Sequence, residues 1–180
     1  ILKNNLLIGF DPKLFTNNIL TAFFGKGLKL KPLKNNLVDQ IWKRRIKKSK
    51  QKFYNLPYKS FVDNYQSKIN KVINVIRKKG ADFQFITSSE NNAWLLNIRG
   101  RDVNYSPIPH CYILIDNLKN INFFCDMSKI SKPLRKAFKK IKFFEVSKIN
   151  LVLSKINKKK FIVDKNTCSF YFEEIIRKNN

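Results

Sequence analysis

The sequence predicts an α/β fold in which a mixed β-sheet is flanked by helices. Three observations predict it. Short apolar runs alternate with longer segments of helical period along most of the 180 residues. Two of those runs, one through Tyr112–Ile115 and one from Ile121 to Cys125, are joined by a short polar turn and read as an antiparallel hairpin. The remaining strand candidates are separated by helices, which favours parallel neighbours.

Residues 1–38 read as a short first unit. Leu6 to Phe10 is a strand, and Asp11-Pro12 is a turn or helix start. Leu14, Phe15, Asn18, Ile19, Ala22 and Phe23 recur at helical spacing, and Gly25 and Gly27 end that helix. Leu28 to Leu33 alternates as a strand. A strand–helix–strand piece of this size cannot bury both its faces.

Residues 39–60 read as a linker, basic from Lys43-Arg44-Arg45-Ile46-Lys47-Lys48 onward to Pro57. Such a run can be a patch for phosphate backbones or a solvated connector over the surface, and the connector is the reading adopted.

Residues 61–180 carry the main domain. Phe61 to Lys79 is a helix whose apolar stripe is Ile69, Val72, Ile73 and Ile76, with Lys68, Lys71, Lys78 and Lys79 off it. Gly80 fits the position just past its end. Asp82 to Thr87 alternates as a strand, and Ser88 or Ser89 caps a short helix from Glu90 to Leu96. After the hairpin, Pro133, Leu134, Ala137 and Phe138 mark a helix, Lys142 to Val146 a strand, Ile149 to Ile156 a short helix and Phe161 to Asp164 the last strand. Asp164 or Asn166 caps a final helix, Cys168 to Lys178, with Phe172, Ile175 and Ile176 on its core face.

The charge balance is lopsided. With 37 Lys and Arg against 12 Asp and Glu, the net charge is +25. That invites a nucleic-acid or anionic-surface partner. The lysines are spread through the chain rather than gathered on one element, and Lys, Asn, Ile and Phe are residues that AT-rich codons favour, so nucleic acid is not the favoured partner. No apolar run reaches the roughly 18 residues a membrane span needs. Cys111, Cys125 and Cys168 sit among apolar residues without CxxC spacing, and read as reduced, buried thiols of a cytoplasmic protein. The start, Ile1-Leu2-Lys3-Asn4-Asn5, lacks Met and a signal pattern and reads as the interior of something longer.

Catalytic chemistry is sparse. Glu173-Glu174 is the only adjacent carboxylate pair, and neighbours on a helix point about 100° apart and do not chelate one ion. They read as a solvated face. The single histidine, His110, reads as packed at a strand end with its nitrogens satisfied. No GxSxG, HExxH or Gly-rich phosphate loop is present. The candidate site is instead the stretch from Ala93 to Ile108, where an apolar run breaks at Arg99-Gly100-Arg101-Asp102, Gly100 permitting a turn, and Pro107 and Pro109 remove backbone donors. An apolar segment that leads into a charged glycine turn delivers a loop to the lip of a cleft.

Four stretches carry a family resemblance. Trp94-Leu95-Leu96-Asn97-Ile98-Arg99-Gly100, then Asp102-Val103 and Tyr105-Ser106-Pro107, resembles a segment of the second, creatinase-type N-terminal domain of three-domain Xaa-Pro aminopeptidases. Gly9-Phe10-Asp11-Pro12 with Phe15-Thr16, Asn36 to Trp42, and Lys79-Gly80-Ala81-Asp82 are similar to that family's motifs in the same order. Ile46, Arg101 and Asn104 depart from it. The resemblance implies a creatinase/prolidase N-terminal-domain-like fold with a ribonuclease H-like motif, residues 1–38 being the tail of a first such domain and 61–180 the second. It implies a peptidase that releases the residue before proline with two metal ions, typically Mn2+, held by a C-terminal catalytic domain. This chain alone is then expected to be inactive and to hold no metal. The partners the resemblance implies are that catalytic domain, proline-containing peptides and, in a homodimer, a second copy. Arg99 and Asp102 would hold the loop or the catalytic-domain contact, Gly100 would supply the turn and Tyr105 would line the cleft. The alternatives are a stand-alone basic nucleic-acid-binding module or a protein-interaction module.

Overall fold

A computed structural model describes residues 6–25, 28–44, 49–57, 60 and 62–180. The first five residues, Gly27, Ile46 within the basic run and the helix start expected at Phe61 lie outside the described residues.

The elements in chain order are β1 (Leu7–Phe10), α1 (Asn17–Phe24), β2 (Lys29–Pro32), α2 (Leu37–Ile41), β3 (Tyr54–Asn55), α3 (Tyr65–Lys78), β4 (Phe83–Ile86), α4 (Ser89–Leu96) and β5 (Ile98–Arg99). They continue as β6 (Tyr112–Asp116), β7 (Ile121–Cys125), α5 (Lys132–Ala137), β8 (Ile141–Glu145), α6 (Ile149–Ser154), β9 (Phe161–Val163) and α7 (Phe170–Asn179). The main sheet has five strands in the order β8-β7-β6-β4-β9. β6 pairs antiparallel with β4 and β7, while β8 and β9 each pair parallel to their neighbour. The mixed sheet the sequence predicts is therefore observed.

Strand alternation sorts the core into two layers. Ile113, Ile115, Phe123 and Cys125 face one side, where α3, α4 and α5 supply Ile69, Ile73, Ile76, Leu95, Leu96, Leu134 and Phe138. Leu114, Phe85 and Phe124 face the other, against Ile149 and Leu153 of α6 and Ile176 of α7. Each large side chain so buried contributes about 1.5–3 kcal/mol.

Local chemistry sets the boundaries. Asn64 caps α3 by accepting from the Ser67 N–H, so the helix starts four residues later than expected from Phe61. Gly80, at φ +58°, ends it, and the Ala81 N–H returns to the Ile76 carbonyl at 3.0 Å. In the hairpin turn the Asp116 carboxylate accepts from the Leu118 and Asn120 amides.

The first unit docks onto α7 through backbone. The Phe170 and Tyr171 N–H groups, which start α7, donate to the carbonyls of Phe15 and Pro12 at 2.7 and 2.8 Å. Those carbonyls replace a side-chain cap: Ser169 precedes the helix and makes no capping bond, and neither Asp164 nor Asn166 takes the role expected of them. Phe10 packs edge-on against Phe170 at 5.3 Å. The Asn36 amide donates to Asp11 at 2.8 Å while its carbonyl oxygen caps α2, so the Gly9–Pro12 and Asn36–Trp42 motifs meet in space. The unit, with α2 and its C-cap that follow, leaves Leu7, Leu14, Phe23, Leu37, Ile41 and Trp42 exposed.

Three surface expectations are corrected. The connector does not stay on the surface: Phe53 is buried in the core and β3 pairs antiparallel with β5. Lys68, expected off the apolar stripe of α3, is buried. Glu173, expected on a solvated face, is 3% exposed because the first unit covers it, and its Oε2 accepts from Asn17 and Arg177.

Candidate functional site

The stretch after α4 folds back on itself. α4 ends at Asn97, which takes the left-handed conformation at φ 55°. β5 then runs antiparallel to β3, which holds the loop's first limb against the core. Gly100 donates its N–H to the Pro107 carbonyl and Asp102 donates to the Ile108 carbonyl, both at 3.2 Å. Val103 bridges Ser106, so residues 99–110 form a small ribbon with its tip at Asn104 and Tyr105. Pro107 and Pro109 can sit there because their carbonyls accept and no N–H is required of them.

Gly100 is needed for a different reason than the one expected. Its backbone is not in the left-handed region, where Gly25 and Gly80 alone among the described glycines lie. A Cβ at Gly100 would meet the Pro109 Cα at 2.7 Å and the Phe53 ring at 3.1 Å. The glycine permits close approach of two limbs, and the tight turn falls at Tyr105, φ 59°.

Asp102 locks the ribbon. Its Oδ2 accepts from the His110 backbone N–H at 2.8 Å, and its Oδ1 pairs with the Lys129 ammonium. The two side chains are 2% and 6% exposed, so this is a buried ion pair. Lys129 sits in the turn after β7, 5.8 Å over the Phe53 ring, and its carbonyl accepts from the Phe53 N–H. His110 itself is exposed and contributes a backbone donor, not the packed ring the sequence suggests. Arg99 donates to the carbonyls of Ala93 and Ile98, tying β5 to α4.

A second buried cation, Lys68, lies at the C-terminal end of α4. The Lys68 Nζ donates to the Trp94 carbonyl at 2.8 Å and to Asn97 Oδ1 at 2.5 Å, and lies 4.5 Å over the Trp94 ring. Burial lowers its pKa, with the nearby Asp63 carboxylate pulling the other way. The thiols are inert by the same logic: burial raises Cys111 well above the ordinary value and pushes Cys125 and Cys168 up to about 12.

The predicted site residues thus divide. Arg99, Gly100 and Asp102 are turned inward and hold the ribbon, whereas Tyr105 is fully exposed at its tip. Tyr105 shares a shallow depression with Tyr54, Arg101, Val103, Ser106 and Pro107. Lys129, Phe53 and Lys68 were not legible as site residues. The one available signal was the scarcity of acids, since a carboxylate beside an apolar strand must find a cation. Among the described residues no group of three or more His, Cys, Asp or Glu can hold a metal ion. The donor set for a di-metal centre is not assembled among the described residues.

Residues 44–180 match the sequence profile of the creatinase/prolidase N-terminal domain. The chain belongs to that family. This creatinase/prolidase N-terminal domain is 28% identical over 143 residues to the Xaa-Pro aminopeptidase app-1 of Caenorhabditis elegans, covering 77% of this chain and 23% of that protein. It is 31% identical over 136 residues to aminopeptidase P2 of Arabidopsis thaliana, covering 71% of this chain and 19% of that protein. The chain therefore spans less than a quarter of the length of either relative. The same architecture occurs in a solved X-prolyl aminopeptidase of Caenorhabditis elegans, described as a cytosolic enzyme with a di-nuclear active site: TM-score 0.85, 23% identity, 99% of this chain and 31% of that one. At that identity the likeness speaks for the fold of this creatinase/prolidase domain. No helix among the described residues is long and apolar enough to cross a membrane.

Proposed function

We propose that this chain is the non-catalytic N-terminal part of a cytoplasmic Xaa-Pro aminopeptidase, the metallopeptidase class that removes the residue before proline. Its role is to present the 99–110 ribbon to a catalytic domain of the same protein, which holds the two Mn2+ ions, and so to narrow the cleft to peptides with free N-termini. The observation that carries this reading is the asymmetry of the ribbon. A buried Asp102–Lys129 pair and the Gly100–Pro109 contact fix its base, while Tyr105 stands exposed at the tip. A rigid base with an exposed aromatic tip is what a gating contact needs.

Residues 1–38 serve on this reading as the tail of a first creatinase-type domain, residues 39–60 as the connector and residues 61–180 as the second domain. The exposed Leu7, Leu14 and Phe23 support this division, since an apolar face on so small a unit calls for a covering partner. The ribbon and the first unit are the two surfaces offered to the catalytic domain or to a second copy in a homodimer.

Two assays test the proposal. The 180-residue chain, given Mn2+ and an Xaa-Pro tripeptide, is expected to release no N-terminal residue; turnover overturns the reading. In the polypeptide that joins this chain to a catalytic domain, Tyr105→Ala is expected to raise KM about threefold to tenfold with kcat within about twofold, the signature of lost substrate positioning rather than lost chemistry. Unchanged KM for every peptide length tried removes the gating role.

A further inference from the structure

The opposite end of the molecule carries a feature that the ribbon does not explain. β9 is an edge strand: β4 lies on one side of it, and no strand lies on the other among the described residues. The Phe83 N–H donates to the Lys160 carbonyl at 3.1 Å, and Gln84 stands opposite Ile162. In a parallel ladder the residues that bond to one neighbour alternate with those that face away. Ile162 therefore turns its backbone groups to β4, and Phe161 and Val163 turn theirs outward.

Those outward groups border a groove of about 560 Å³ between β9 and α7. Its floor holds Phe161, Val163 and Ile176, and its walls carry Lys79, Lys159, Lys160, Lys165 and Arg177. Two of these cations are partly spent: Lys159 lies 3.2 Å from Asp82 and Arg177 lies 3.2 Å from Glu173. Lys79 and Lys165 make no ion pair with a carboxylate among the described residues, whereas Lys160 already faces Asp82, donating its backbone N–H to that carboxylate at 2.9 Å with its charge close by. Glu173, also lining the groove, keeps one oxygen, Oε1, buried and without a donor.

We propose that this groove docks an extended acidic peptide segment, which adds a sixth strand to the sheet at the β9 edge. Backbone donors and acceptors of Phe161 and Val163 supply the pairing, and Lys79 and Lys165 pair with carboxylates of the segment. The apolar floor takes the side chains between them. A second copy of this chain is excluded as occupant by charge, since two cationic walls would meet in molecules of net charge +25. A phosphate backbone would answer the lysines but leave the strand edge and the apolar floor unused.

The test is fluorescence anisotropy with a labelled hexapeptide alternating valine and glutamate, against a control of the same charge with proline in place of valine. The alternating peptide is expected to bind at least about tenfold more tightly, because proline removes the pairing donors. Val163→Pro in the chain deletes only an outward N–H, a place where an edge strand tolerates proline, and is expected to weaken peptide binding about tenfold while the cooperative thermal transition is kept. Lys79→Glu combined with Lys165→Glu is expected to weaken it further. Equal affinity for the two peptides, unaltered binding by both variants, or displacement of the peptide by a single-stranded oligonucleotide that binds Val163→Pro undiminished each overturns the assignment.

Discussion

The 99–110 ribbon and the β9 edge treat backbone and charge in opposite ways. In the ribbon the Gly100, Asp102 and His110 amides all find acceptors inside the loop, and the Asp102 and Lys129 charges cancel out of water. At the β9 edge, among the described residues, the outward backbone of Phe161 and Val163 has no partner strand, and Lys79 and Lys165 make no carboxylate ion pair. The difference teaches where a small basic domain invests its few acids. Asp102, one of the 12 acidic residues, is buried to fix the base of the ribbon, while the β9 edge keeps its cations available.

The largest test of the contrast strikes the ribbon's lock. Lys129→Ala leaves a buried carboxylate unpaired and is expected to cost about 3–5 kcal/mol in denaturant unfolding. Adding Asp102→Asn to Lys129→Met should recover most of that loss, because the uncompensated charge goes with it. Next is Gly100→Ala, whose new Cβ meets backbone at Pro109 and cannot be relieved by a rotamer change; about 1–3 kcal/mol is expected by the same measurement.

Lys68 sharpens the comparison, since it is buried with a carbonyl and an amide oxygen for partners instead of a carboxylate. Lys68→Met leaves Asn97 Oδ1 without its donor, while the Trp94 carbonyl keeps the Asn97 N–H, at a cost of about 1–3 kcal/mol near neutral pH. The pH dependence has a definite sign. Burial holds the folded-state pKa below 10.5, so between that lowered value and 10.5 the unfolded chain binds more protons than the folded one. Stability of the unaltered chain relative to Lys68→Met therefore rises as pH climbs through that window, and the unfolding midpoint followed from pH 7 to 10.5 reads it. The smallest effect belongs to the tip. Tyr105→Ala touches no core contact and should shift stability by less than about 0.5 kcal/mol, leaving any change in peptide handling attributable to the tip alone.

The sequence exposes those features that rest on local chemistry. The hairpin was legible because Asp116 and Asn120 bracket a turn, and the end of α3 because Gly80 follows a cationic last turn. The mixed sheet with helices on its faces followed from strands alternating with helices around one hairpin. What escaped depended on distant chain. Lys68 reads as solvated on a helical wheel, and the C-terminal end of α4, with Trp94 and Asn97, covers it. Glu173 is buried because Asn17, 156 residues away, reaches it. Phe53 lies in a basic stretch whose composition argues for a surface path, and a single ring that fills a core position leaves no period to detect. The ribbon was legible as a unit, and its inward–outward division was not, because Lys129 is one of 37 cations with no local mark.

Native-state hydrogen exchange on the intact chain reads both regions at once. The account predicts that the amides of Gly100, Asp102 and His110 exchange slowly, while those of Phe161 and Val163 exchange rapidly until the acidic hexapeptide is added and then slow. Rapid exchange throughout the ribbon, or β9 amides already protected without peptide, would contradict it.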